Sequence, residues 1–263
     1  MHLRFEDLGS PVWRVWLMPD EHGEVAIGGP GVAELEELLQ RAEEDPRCRV
    51  IILASEGGAE FCRGMDLRGL SSGDAASRAA GVARFARCVG RMRALRAAVV
   101  CLVDGAVSGG GVGLVAASDL AIVGRAASFV LTELYFGLVP AVILPVLGER
   151  MGPARARWLA LSGVTLDADA AVRLGLADER SDDLPRTLAA RLKHLLRLNP
   201  EALGRLKRLS AEIVGQPLEV ALAAGVARTK IDISGPEVAA AVDSYLAGEL
   251  PPWAIRQRPE GQP

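Results

Sequence analysis

The chain has 263 residues, 30 basic and 33 acidic side chains for a formal charge of −3, half its residues hydrophobic and only 4% aromatic. That length suits one compact domain, or one domain with an appended module. With a slightly acidic balance and no basic block, the chain lacks the positive field that supplies most affinity for a phosphate backbone, which argues against a nucleic-acid partner.

From the start, Arg4, Glu6, Asp7 and Arg14 interrupt any apolar run between Met1 and Trp16 that would serve as a signal h-region. No apolar run reaches the roughly 20 residues of a membrane helix, so no membrane partner is expected and the expected compartment is the cytosol. Val12 to Met18 reads as a strand. Gly31 to Glu44 puts Val32, Leu35, Leu38 and Leu39 on one helical face and stops at Asp45-Pro46. Arg49 to Ala54 is a near-continuous apolar run, as in a strand buried on both faces. A long helix fits Asp74 to Leu95, with Val82, Phe85, Val89, Met92 and Leu95 in register. Ala98 to Val103 reads as a second buried strand, and Leu120 to Val123 with Ser128 to Leu131 complete the expected strands.

From about Pro140 the pattern turns helical. The expected helices are Pro140 to Met151, Pro153 to Leu161, Asp167 to Leu174, Leu184 to Leu198, Glu201 to Val214, Leu218 to Ile231 and Glu237 to Leu246. The tail from Pro251 to Pro263 has the composition of a frayed terminus. The expected organisation is an α/β core over 1–183 and a helical region over 184–263. The latter carries apolar faces such as Leu218, Ala221, Leu222 and Gly225, which point to an interface.

Residue usage narrows the chemistry. The 30 basic residues divide into three lysines, Lys193, Lys207 and Lys230, and 27 arginines. Schiff-base and P-loop lysines are thereby excluded from the first 192 residues. The three histidines, His2, His22 and His194, offer neither a triad base nor a metal cluster, so no metal site is expected. Cys48, Cys62, Cys88 and Cys101 sit singly among apolar neighbours, without zinc-site spacing, and read as reduced buried thiols. Carboxylates and backbone amides are left to do the chemistry.

Two glycine-centred segments stand out, Phe61-Cys62-Arg63-Gly64-Met65-Asp66-Leu67 and Val103-Asp104-Gly105-Ala106-Val107-Ser108-Gly109-Gly110-Gly111. Each follows an expected buried strand and precedes an expected helix, where N–H groups lack partners and glycine lets backbone approach a ligand. Read alone, both are simply tight turns. Facing each other, each can donate one amide to a single oxygen as an oxyanion hole.

Together with their surroundings, the segments resemble the crotonase superfamily, the enoyl-CoA hydratase/isomerase family. The matching stretches are RVIILASEGGAEFCRGMDL, AAVVCLVDGAVSGGGVGLVAASDLAIVGRAASFVLTELYFGLVP and ARARWLALSGVTLDADAAVRLGLADE. The first forty residues match poorly, because Glu24 to Pro30 replaces the family's usual Asn-Ala-Leu-like segment. The resemblance implies a ββα spiral core and a C-terminal helical trimerisation region, hence a homotrimer or hexamer. It implies that the amides of Met65 and Gly110 polarise a thioester carbonyl, whose acyl group is carried by coenzyme A or by phosphopantetheine on an acyl carrier protein, with no further cofactor.

The family's two catalytic glutamates fall on Gly113 and Glu133, and only Glu133 is a carboxylate. An acid in an apolar surround has its pKa raised towards the range useful for proton transfer. Gly113 implies that the water-activating acid of a two-glutamate hydratase is missing. Asp66 reads as a cap for the next helix or as a second acid, with Tyr135 another candidate. Arg63 is a turn charge or a partner for a substrate anion. Asp104 and Asp119 read as structural, bonding local backbone.

Within the superfamily, Gly64-Met65-Asp66, the stretch from Phe129 to Pro140, Gly113 and the ending Leu250-Pro251-Pro252-Trp253 resemble enoyl-CoA hydratase-like proteins of polyketide β-branching. One type there dehydrates a carrier-bound 3-hydroxy-3-methylglutaryl group and another decarboxylates its product, using an added lysine and a C-terminal histidine. With no lysine before 193 and no histidine after 194, this chain is more similar to the dehydrating type. A single-carboxylate double-bond isomerase and a catalytically silent acyl-thioester-binding protein are the alternatives.

Overall fold

A computed structural model describes residues 1–7, 11–55, 59–66, 75–213, 218–250 and 252–253. Its larger sheet runs β1 (His2–Asp7), β2 (Val12–Met18), β3 (Val50–Ser55), β5 (Ala98–Val103), β7 (Leu120–Val123) and β10 (Glu179–Arg180). Only the β1–β2 pair is antiparallel. Val50, Ile52, Ala98, Val100 and Ile122 face one side, against Leu188 of the helix Leu184–Leu195. Ile51, Leu53, Val99 and Cys101 face the other, in a core shared with α1 (Gly29–Glu44), α2 (Ala75–Ala94) and α3 (Gly110–Ala117). Both faces of β3, β5 and β7 are covered, which is why these three strands are apolar at nearly every position.

The smaller sheet carries the two glycine turns and Glu133 at its strand ends. It runs β4 (Glu60–Cys62), β6 (Ala106–Ser108), β8 (Ser128–Val130) and β9 (Leu166–Asp167), with the first three strands parallel and β9 antiparallel. Ten α-helices are present among the described residues, together with a short 3-10 helix at Glu133–Phe136. The expected elements occur within a few residues of their expected bounds, with two corrections. The helix expected from Pro140 starts at Leu144, because 140–143 form a turn in which the Ile143 N–H donates to Pro140 O. Strands do not end at 140, since β9 and β10 each add two residues to a sheet.

β1, β4 and β6 lie outside the expected strands. β4 and β6 are three residues each, too short for a period to register. β1 carries charges on both sides of an edge strand. All four cysteines are buried free thiols, and burial pushes each up to about 12.

Leu222 and Gly225 do not form an open face. They pack within the chain, Leu222 against Gly90 and Gly225 against the Ala141 carbonyl, while the side chain of Leu218 lies outside the described residues. Apolar exposure falls instead on Trp158, Leu161, Leu206, Leu209 and Ile231. Lys207 ties the helix Pro200–Ile213 to the core. Its Nζ donates to Asp119 Oδ2 at 2.6 Å, Met92 O at 3.0 Å and Ala97 O at 3.3 Å. Asp119 also accepts the Val99 N–H and Asp104 the Ala126 N–H, so both anchor backbone.

Candidate active site

β4, β6 and β8 lie side by side and parallel, and the chain leaving each carboxyl end delivers one candidate segment: Met65, Gly110 and Glu133. Carboxyl ends of neighbouring parallel strands are where open α/β sheets bind ligands. The first two turns interlock. Gly64 has φ +86°, and a Cβ there would come within 2.7 Å of Ser108 O and 2.8 Å of Gly110 N, so only glycine fits. Ser108 Oγ donates to Arg63 O at 2.6 Å, Ile27 N–H to Gly64 O at 2.6 Å and Asp66 N–H to Ile27 O at 3.0 Å. Gly110 opens α3, so its N–H has no intrahelical acceptor. Met65 lies between residues whose backbone bonds hold the turn, and it lines the same cavity as Gly110.

Glu133 opens the 3-10 helix, and its Oε1 would be 3.3 Å from a Cβ on Gly109. Its Oε2 is buried without a hydrogen-bond partner. Burial pushes the carboxyl from its ordinary 4.5 up to about 6, against an opposing pull from the amides of Glu133 and Thr132. The charged form is thus disfavoured enough for the group to exchange protons near neutrality. Around it lies a cavity of about 90 Å³ whose walls include Met65, Gly109, Gly110, Phe136, Val142 and Thr229. A second lobe of about 200 Å³ shares Met65, Val82, Phe85 and Gly110 with the first. The amide pair therefore sits where two mostly apolar lobes meet, with the carboxyl in one of them.

Of the other sequence candidates, Asp66 lines the second lobe, beside Gly28; residues 67–74, whose helix it was expected to cap, lie outside the described residues. Tyr135 is 55% exposed, with its hydroxyl against Gly163, and it lines a different cavity. Arg63 is held by Glu24 at 2.5 Å and by Glu60 at 2.8 Å. Gly113 faces Ile143: a Cβ there would come within 2.2 Å of Ile143 Cγ2. No carboxylate stands at that position, and an isoleucine fills its space.

Two further contributors come from the C-terminal end: Trp253, which belongs to the ending singled out in the sequence, and Tyr245, which carried no sequence signal. Trp253 lies over Gly137, its Cη2 within 3.1 Å of where a Cβ would sit, and Tyr245 meets Phe136 edge-on at 5.2 Å. Both cover the 3-10 helix from more than 100 residues away along the chain. Such contacts follow from the docking of the C-terminal helices rather than from any local pattern.

Comparison with known proteins agrees with this geometry. A family model described as enoyl-CoA hydratase/isomerase matches residues 26–253. The carnitinyl-CoA dehydratase of Proteus mirabilis is 30% identical over 197 residues, 72% of this chain and 74% of that protein. The bacillaene synthase dehydratase PksH of Bacillus subtilis is 32% identical over 151 residues, 57% of this chain and 58% of that one. The crystal structure of a putative enoyl-CoA hydratase from Mycobacterium avium paratuberculosis superposes with a TM-score of 0.85 at 26% identity, covering 97% of this chain and all of the other. Paired glycine turns and a buried acid at the ends of three parallel strands thus occur in a chain matched over nearly its whole length, and the protein belongs to the enoyl-CoA hydratase/isomerase family, the crotonase superfamily.

Proposed function

We propose that the protein dehydrates a 3-hydroxyacyl thioester to the enoyl thioester, acting on 3-hydroxy-3-methylglutaryl held on an acyl carrier protein in polyketide β-branching. The observation that carries this reading is the buried, unpartnered carboxyl of Glu133, with its pKa of about 6, in the cavity beside the paired turns of Met65 and Gly110. The likeness to the bacillaene synthase dehydratase PksH supports dehydration as the reaction.

In this mechanism the Met65 and Gly110 amides donate to the thioester oxygen and stabilise the enolate that forms when C2 loses its proton. Ionised Glu133 takes that proton. The neutral carboxyl then gives it to the departing 3-hydroxyl, the C3–O bond breaks, water leaves, and the glutamate is ionised again. One residue suffices for both transfers when the C2 proton and the departing hydroxyl lie on the same face of the substrate, within reach of one carboxyl. Asp66, in the neighbouring lobe, and Tyr135, against Gly163, are not required for either step. No metal or redox group takes part; the acyl group arrives on phosphopantetheine or coenzyme A. The exposed apolar residues of the C-terminal helices and of Pro153–Ser162 are proposed to be covered by other subunits in a trimer or hexamer.

Incubation of carrier-bound 3-hydroxy-3-methylglutaryl with the protein, read by mass spectrometry, tests the reading: loss of water supports it, and loss of carbon dioxide alone overturns it. A lone carboxyl also suits an isomerase moving one proton between C2 and C4, and an enoyl thioester that shifts its double bond without a change of mass would favour that reading.

A further inference from the structure

We infer that Arg78 reads a terminal carboxylate on the acyl chain, and so selects substrates ending in a second acid. This rests on the proposed 3-hydroxyacyl reading and names the specificity residue within it. The second lobe is lined by Met65 and Gly110, by the apolar Ile27, Val82 and Phe85, and by Ser77 and Arg78. Arg78, Gly81, Val82 and Phe85 share one face of α2, spaced by three, one and three residues. Phe85 marks the near end, since its Cζ would be 3.5 Å from a Cβ on Gly110. Seven residues of helix place the Arg78 backbone about 10 Å further along.

A five-carbon diacid spans about 5 Å end to end from its thioester carbon to its terminal carboxyl, four carbon–carbon bonds of about 1.5 Å in a zigzag. Arg78 lines the lobe that such a chain would enter. A hydrocarbon tail would gain nothing from a guanidinium there, whereas a carboxylate gains charge-assisted, bidentate hydrogen bonds. Asp66 shares the lobe, on the side of Gly28. A guanidinium has five N–H donors, more than one carboxylate can take, so Arg78 can serve both a protein neighbour and the substrate.

The test is calorimetric binding in a Glu133→Gln background, so that titration proceeds without turnover and decides the point even if the dehydratase reading fails. The probes are 3-hydroxy-3-methylglutaryl-CoA and 3-hydroxy-3-methylbutyryl-CoA, which differ only in the terminal carboxylate. With Arg78 present the diacid thioester should bind about 10- to 100-fold more tightly. Arg78→Met should abolish that ratio and Arg78→Lys should keep part of it. A ratio near one with Arg78 present, or an unchanged ratio in Arg78→Met, overturns the inference. Failure of water loss in the mass-spectrometric assay, with the ratio intact, would instead overturn the dehydratase reading alone.

Discussion

The side chain of Ile143 occupies the space into which any side chain at Gly113 would project, with its Cγ2 only 2.2 Å from the position of a Cβ there. The absent second acid is therefore built into the packing of the site. Gly113→Glu alone should destabilise the protein by about 1–3 kcal/mol through overpacking and should add no hydration of crotonyl-CoA in a spectrophotometric assay. Combined with Ile143→Gly, it should cost less than the sum of the two single changes in urea denaturation. Simple additivity would contradict this packing.

The raised pKa of Glu133 has a definite sign in stability. A carboxyl at about 6 in the folded state, against an ordinary 4.5, contributes stability fully below pH 4.5 and loses it as pH rises through 6. Charging it in place costs about 2 kcal/mol. The stability of Glu133→Gln relative to the parent should thus rise by about 2 kcal/mol between about pH 4 and pH 8. Denaturation curves at the two pH values giving the same difference would remove the burial argument. If ionised Glu133 is the base, kcat/KM should also climb through about pH 6.

Lys207, buried on Asp119 and two carbonyls, should be expensive to replace. Burial pulls its pKa below the ordinary lysine value, and Asp119 pulls it partly back up. Lys207→Met leaves that carboxylate unmatched and should cost about 3–5 kcal/mol, with Asp119→Asn/Lys207→Met losing less than the two singles together. A loss under about 1 kcal/mol in guanidinium unfolding would show the pair to be no more than a surface contact.

Sedimentation at micromolar concentration should give a species of three or six subunits, because Trp158, Leu161, Leu206, Leu209 and Ile231 are exposed on the isolated chain. A fully active monomer of 27.7 kDa would contradict the proposed assembly.

What the sequence made legible follows from how local each signal is. The apolar runs of β3 and β5 and the 3.6-residue register of α1 and α2 are written in consecutive residues, and the structure keeps them. Gly64 and Gly109 were legible as turns because a left-handed φ needs glycine. That Ile143 fills the place opposite Gly113, that Tyr135 faces Gly163, and that Leu222 packs on Gly90 were not legible. Each depends on how elements far apart in sequence dock, and no periodicity encodes it. β4 and β6, three residues apiece, were lost for the opposite reason, being too short for a pattern although they carry the two amide turns.

The most direct test of the account is the turnover of Glu133→Gln on carrier-bound 3-hydroxy-3-methylglutaryl, because one buried carboxyl is asked to move both protons. Turnover should fall by about 10²–10⁴-fold while the circular dichroism spectrum and assembly state are kept. Near-parental turnover in a folded variant would contradict the central claim and return the search for the acid to Asp66.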